Sequence, residues 1–538
     1  MLAAGCITLA VLAPVLTLVA HALQGSADHW QHLLDYVLPH AMRNTLLLLL
    51  GVGVVTALLG VGSAWLMTAF SFPTRGVLSW ALLLPLAVPT YIVAFAYQDI
   101  LHPIGPVQGI IRDVLGYTSP RQFRLPDVRS LGGAIILLGL VLYPYVYLST
   151  RAMFATQSAS LLEAGRILGA SRRAVFFRVA LPMARPAIAV GLSLALLETL
   201  TDIGASEFLG VQTLTVSIYT TWVTRSDLAA AAQIALSMLV LVVALIMLER
   251  YGRRRQGYSQ NQRSRNIQPR QLQGAAALFA IGLGWLPVLL GFVAPALYLL
   301  AESYRHLQQT GAVSTQLLAS AWNTLYIALI TTVATLLLAL VVAWASRSAR
   351  HAGSGWRRLL KLSSIGYAIP GTVLALGLLL PFVWFDSLLE SLLALFVERS
   401  PGLLLMGSTT ALIIAYCIRF LAIGVGSLES GLARIPPSVE QASRLLGETQ
   451  GGTLRRVHLP LLRPAMGAAA LLIFVDAMKE LPATLLLRPM NFDTLATWLY
   501  AEAARGTYEE GAIAALAIVA AGLLPVILLA RAQFARQS

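Results

Sequence analysis

The stretch EAGRILGASRRAVFFRVALPMARPAI (Glu163–Ile188) returns in altered form as QASRLLGETQGGTLRRVHLPLLRPAM (Gln441–Met466). Ten positions of Glu163–Pro186 match Gln441–Pro464: Ala164, Arg166, Leu168, Gly169, Arg178, Val179, Leu181, Pro182, Arg185 and Pro186. Glu163–Leu168 predicts a short helix, Gly169 its break and Ser171–Ala180 a second helix. Pro182 lacks a backbone donor and predicts the exit from that helix. The product is a pair of short basic helices set at an angle, made twice in one chain.

Outward from these loops the chain is strongly apolar. Of 538 residues, 57% are hydrophobic and 12% charged, against about 25% charged in soluble domains. Twelve apolar spans are read near 2–22, 45–70, 77–97, 131–148, 187–210, 228–249, 274–301, 321–346, 359–384, 402–418, 465–486 and 511–530. Each can cross a hydrocarbon core of roughly 30 Å as a helix, and helices satisfy their own backbone there. The reading is an all-α polytopic membrane protein. With both termini cytoplasmic, most Lys and Arg fall on the inner side, as the positive-inside rule requires. The outer loop 98–130 runs against the trend, with Arg112, Arg121, Arg124 and Arg129. The first span has no basic n-region or clear cleavage site, so it reads as a helix and not a signal peptide.

The repeat extends beyond the loops. RNTLLLLL (Arg43–Leu50) has a counterpart in WNTLYIAL (Trp322–Leu329), and Pro89 and Pro370 occupy equivalent third spans. The chain therefore reads as a first repeat over 1–249 (core about 40–249), a linker over 250–273, and a second repeat over 274–538 (core about 319–530). Six spans per repeat make the repeats parallel, related by a pseudo-two-fold along the membrane normal. The linker, RYGRRRQGYSQNQRSRNIQPRQLQ, is polar and rich in arginine. It reads as cytoplasmic, close to anionic lipid headgroups. The net charge of +14 is assigned to that surface and not to nucleic acid. Cys6 and Cys417 both lie in apolar runs, which gives no disulfide framework or cysteine metal site. His29 and His32 share a loop without a carboxylate cluster, and no metal site is assigned.

The duplicated loop resembles the EAA loop of inner-membrane permeases from binding-protein-dependent ABC importers. The matching positions are Glu163, Ala164, Gly165, Gly169, Val179, Leu181 and Pro182. In the second copy they are Gln441, Ala442, Gly447, Val457, Leu459 and Pro460, with Glu440 one residue before the glutamate position. The resemblance implies a type I importer permease fold and docking of a cytoplasmic ABC ATPase pair, a homodimer, at these loops. It also implies a periplasmic substrate-binding protein and a place in the bacterial inner membrane. A P-loop needs G-K-[ST]. The chain has only Lys361 and Lys479, neither after a glycine, so it is not read as an enzyme, and ATP and Mg belong to the partner. ETLTDIGASEFLGVQTLTVSIYTTW (Glu198–Trp222) and DAMKELPATLLLRPMNFDTLATWLY (Asp476–Tyr500) are similar to segments of fused ferric-iron permeases. Thiamine and aminoethylphosphonate permeases share the design and stay open as alternatives.

Four carboxylates stand in the fifth and eleventh spans. Glu198 and Asp202 are four residues apart, as are Asp476 and Glu480, which predicts one helix face for each pair. Each charge costs roughly 2.5–3.5 kcal/mol at mid-membrane, so all four should face a polar interior. Two roles follow: a carboxylate path suited to a hard cation, or internal pairing, with Lys479 beside Asp476. A secondary transporter also fits twelve spans and two repeats, but has no ATPase to dock. A membrane-embedded enzyme lacks a nucleophile–base pair or His/Asp/Glu cluster.

Overall fold

The computed structural model describes residues 2–24, 31, 33–156, 167, 169, 171–253, 269–348, 356, 360, 362–393 and 403–534. The principal helices of the first half are α1 (Leu2–Gln24), α2 (Leu38–Ala69), α3 (Thr90–Ile100), α4 (Pro106–Leu115), α5 (Leu131–Thr156), α6 (Leu181–Thr201) and α7 (Leu228–Arg253). The second half holds α8 (Ala275–Thr310), α9 (Thr315–Ser348), α10 (Gly371–Leu393), α11 (Thr409–Ala433), α12 (Pro437–Leu445), α13 (Leu459–Met478) and α14 (Tyr508–Phe534). Among the described residues eleven helices are long and apolar enough to cross a membrane, and a bent pair makes a twelfth span.

Proline decides where these helices change course. The third span, read as continuous over 77–97, is instead two pieces, Arg75–Ala87 and Thr90–Ile100, bent by 91°. Pro89 causes the bend, because the residue before a proline is pushed out of the helical region. Val88 accordingly takes φ −103°, ψ 117°. Ile369, before Pro370, takes the matching φ −79°, ψ 122°. The ninth span therefore starts at Gly371 and not near 359, and the tenth runs over Thr409–Ala433, well past residue 418.

Pro182 and Pro460 behave differently. The helix does not exit there, as the sequence suggested, but continues from Arg173 to Thr201 and from Gln450 to Met478. It survives by widening into one π-turn just upstream, over Phe176–Ala180 and over Leu454–His458. Leu181 N–H then bonds to Phe176 O, five residues back. The wider turn moves carbonyls clear of the proline ring, which would clash in a regular α-turn. The other two described π-turns, Leu33–Val37 and Leu289–Val293, also end two residues before a proline, Pro39 and Pro295.

Two compact units result, and each draws on both sequence halves. One comprises residues 1–31, 218–236 and 313–499, the other residues 32–217, 237–312 and 500–538. In the first, α1 lies on α10, where Thr17 Oγ1 donates to Gly377 O at 2.5 Å. In the second, a core of Met67, Leu78, Tyr143, Tyr147 and Phe154 is completed by Ala277, Val288 and Val526. At the linker's C-terminal end, Arg270–Gln271 pairs in parallel with Phe70–Ser71. That end of the linker is thus pinned to the second unit.

Each unit contains the same internal strap. Asn44 Nδ2 donates to Gln212 O at 3.1 Å, and Leu214 N–H donates to Thr45 Oγ1 at 3.0 Å. In the other unit Asn323 Nδ2 donates to Asp493 O at 3.0 Å, and Leu495 N–H to Thr324 Oγ1 at 2.8 Å. The repeated Asn-Thr dipeptide thus satisfies backbone that has left its helix, a requirement wherever water is scarce.

Candidate functional site

The second loop forms an elbow. α12 starts after Pro436 with Pro437 in its first turn, the position where a missing donor costs nothing. It closes on Gly447: Glu448 N–H reaches Ser443 O at 3.1 Å and Gly447 N–H reaches Arg444 O at 3.0 Å, a Schellman motif. This closure needs a left-handed residue, and Gly447 takes φ +83°. Thr449 then caps the next helix through Gly452 N–H at 3.1 Å. Ser443 and Thr453 hydroxyls meet at 3.0 Å and tie the two arms together. In the first copy Gly169 takes φ +82°, so both glycines make the same break. Glu163, Ala164 and Gly165 lie outside the described residues.

The tip of the elbow is apolar. Leu445 and Leu446 are 89% and 85% exposed, and Ile167, at the place of Leu445 in the first copy, is 85% exposed. Gln441 and Ala442 are exposed on the same helix, whereas Val179, Val457, Leu181 and Leu459 are half-buried where the elbow joins its span. Pro182 is half-buried and Pro460 exposed at the widened turn.

Glu440, one place before the motif's glutamate position, turns inward. Arg347, at the end of α9, pairs with it, and the same guanidinium donates to Leu432 O and, at 3.0 Å, to Ile435 O. His458 Nε2 lies 3.0 Å from Glu440 Oε1. The elbow is thereby braced against its own unit. Sequence reading passed over Arg347 and His458. The one available signal was an arginine closing an otherwise apolar span.

The fifth and eleventh spans end earlier than read, at Thr201 and Met478. Asp202 and Glu480 therefore do not share a helix face with Glu198 and Asp476. They stand in the breaks that follow. The reason is capping: Asp202 Oδ1 accepts from Ala205 N–H at 2.8 Å, and Glu480 Oε1 from Ala483 N–H at 3.1 Å. These bonds start the short helices Gly204–Phe208 and Pro482–Leu487. Both carboxylates are buried, and each has a second partner. Thr90 Oγ1 donates to Asp202, whereas Arg419 Nε lies 3.1 Å from Glu480 Oε2. Arg419, outside the span read for α11, is in fact within it. Gly371 makes room for this pair, since a Cβ there would stand 2.6 Å from Arg419 Nη1 and 2.8 Å from Glu480 Oε1. Asp476 is half-buried and pairs with Lys479 at 2.8 Å. Glu198 is half-buried. Among the described residues no group of three or more His, Cys, Asp or Glu side chains is placed to hold a metal ion.

Comparisons with known proteins agree with this architecture. Residues 56–258 match the family described as binding-protein-dependent transport system inner membrane component. The Fe(3+)-transport system permease protein FbpB 2 of Haemophilus influenzae is 24% identical over 92% of this chain and 90% of its own length. A putative ferric transport system permease protein, FbpB 1, of the same organism is 24% identical over 83% of this chain and 70% of its own. The putative 2-aminoethylphosphonate transport system permease protein PhnU of Salmonella typhimurium is 30% identical over 40% of this chain and 76% of its own. By its duplicated loop sequence, its apolar helices and these relatives, the chain belongs to the inner-membrane permease components of binding-protein-dependent transport systems.

Proposed function

We propose that this permease imports ferric iron from the periplasm, driven by ATP hydrolysis on a cytoplasmic ATPase homodimer docked at its two elbows. The ATPase carries the ATP and Mg2+, and a periplasmic binding protein delivers the cargo. Both termini are cytoplasmic in this reading. The observation that carries it is the matched pair of glycine breaks at Gly169 and Gly447, each beside a side chain, Ile167 or Leu445, almost fully exposed. Bare leucines on a cytoplasmic loop are costly unless a partner covers them. Bracing by Arg347 gives that partner's motion a rigid lever into α9.

Iron is favoured over aminoethylphosphonate by chain design: the Fe(3+) relative joins both halves in one chain as this protein does, whereas PhnU is matched over 76% of its own length by less than half of this chain. In proteoliposomes holding the permease and ATPase, the binding protein loaded with ferric iron should stimulate ATP hydrolysis and uptake of radioactive iron. Leu445→Asp with Leu446→Asp should abolish ATPase co-purification while the permease stays inserted. Stimulation by an aminoethylphosphonate-loaded binding protein instead would reassign the cargo. Unchanged ATPase docking in the double variant would remove the elbow's role.

A further inference from the structure

We infer that α4 is an interfacial helix lying in the outer leaflet, its apolar side against lipid. Its ends are set by sequence: Pro106 at the first position and Gly116, at φ +73°, just past the last. Tyr117 N–H to Arg112 O at 2.8 Å closes it. What is unusual is which face is buried. Gln108 and Arg112, four residues apart, are 1% and 8% exposed, while Ile110 and Val114 on the opposite side are 63% and 80% exposed. Asp113 flanks that outward side. A helix beside an aqueous phase would be turned the other way round.

The buried polar residues explain how the inversion is held. Gln108 Nε2 donates to Leu101 O at 2.8 Å, Gln108 Oε1 accepts from Leu125 N–H at 3.1 Å, and Arg112 Nη1 donates to Pro103 O at 2.7 Å. Leu101 directly follows the end of α3, and Leu125 lies shortly before the start of α5 at Leu131. The anchors thus hold α4 at the height where two spans end; α3 is largely buried, and the outward apolar side next in the chain is that of α5, where Ile136 is 56% exposed. Ile104, 74% exposed just before α4, extends the apolar face of that helix. Arg121, Arg124 and Arg129 are exposed in the same loop; Arg124 and Arg129 border a polar cavity that Glu302 and Glu509 also line, and Arg121 is free of that cavity to meet lipid phosphates. This accounts for basic residues on the outer side, against the charge bias of the rest of the chain. An apolar face with a basic rim is the pattern of helices that lie in the headgroup boundary. A docked protein is the other occupant such a face could take, but it does not account for the fixed height at the span ends.

The inference rests on the outward orientation of residues 98–130, so the test checks orientation separately. In a Cys6→Ser, Cys417→Ala background, a nitroxide is attached at Ile110→Cys, Val114→Cys or Ser119→Cys in phospholipid vesicles. Collision with oxygen is compared with collision with a water-soluble nickel chelate. The oxygen-to-nickel ratio should be several-fold higher at 110 and 114 than at 119. Nickel dominating at 110 and 114 would place the helix in water and overturn the inference. Low collision with both, rising for nickel when the binding protein is withdrawn, would assign the face to that protein and overturn it equally. Reaction of the 119 cysteine with an impermeant thiol reagent from outside reports orientation on its own.

Discussion

At the scale of single residues, the two units solve one problem with different chemistry. A carboxylate in the break after a long helix must be satisfied, or the break costs more than the fold can bear. Asp202 relies on a neutral hydroxyl, Thr90, and Glu480 on a charged guanidinium, Arg419. The consequences of removing the partner should therefore differ. Thr90→Val leaves one acceptor short of a hydrogen bond, about 1–3 kcal/mol. Arg419→Met takes the guanidinium away from a buried carboxylate, about 3–5 kcal/mol. Thermal unfolding in detergent should show the larger loss for Arg419→Met, and Arg419→Met with Glu480→Leu should recover most of it. If the double variant recovers stability but uptake of the proposed cargo stays low, Glu480 serves that cargo as well as the break. Equal losses for Thr90→Val and Arg419→Met would remove the distinction drawn between the two units.

At the scale of elements, sequence reading reached the number of spans, the duplicated loop and the glycine breaks, because each is written in local composition. It misplaced the effect of proline. Pro89 bends its span and Pro182 does not end its helix, yet both are prolines in apolar surroundings. The difference lies in the preceding turn, a tight 3-10 turn over Leu84–Ala87 before Pro89 and a wide π-turn over Phe176–Ala180 before Pro182, which no spacing records. Nor could the sequence reveal that Asp202 caps a short helix, since four-residue spacing looks the same whether or not the helix continues. The π-turn has a testable consequence. Restoring an α-turn removes one residue of slack, which rotates everything upstream by about 100° about the helix axis. Pro460→Ala permits that reversion. The elbow over Pro437–Thr453 should then be misaimed: ATPase stimulation by loaded binding protein should drop several-fold while insertion and expression persist. Wild-type stimulation in this variant would mean that surrounding contacts, and not the proline, hold the wide turn.

At the scale of the whole molecule, repeat and compact unit are different divisions of the chain. The repeat follows internal resemblance, with its join in the linker, whereas each compact unit contains segments from both sides of that join. Folding one sequence half alone should therefore leave a unit unfinished. Residues 1–258 contain Tyr97 and Asp99 but not their partners: Tyr97 Oη donates to Leu290 O at 2.7 Å, and Tyr298 Oη donates to Asp99 Oδ2 at 2.6 Å. They also lack Ala277, Val288 and Val526 of the core around Leu78. α1 in turn is separated from Gly377, its hydrogen-bonding partner. Each lost buried bond costs about 1–3 kcal/mol, and the missing apolar cover adds about 25 cal/mol per Å2 wherever water reaches it. A cut between Tyr258 and Ser259 should thus give two pieces that are degraded or aggregated when made singly. Made together they should assemble, because every partner named above is present again. Co-expression restoring transport, with neither piece purifying alone as a monodisperse protein, is the expected result. A first piece that purifies alone with a cooperative thermal transition would show that the sequence repeat folds as an independent unit after all.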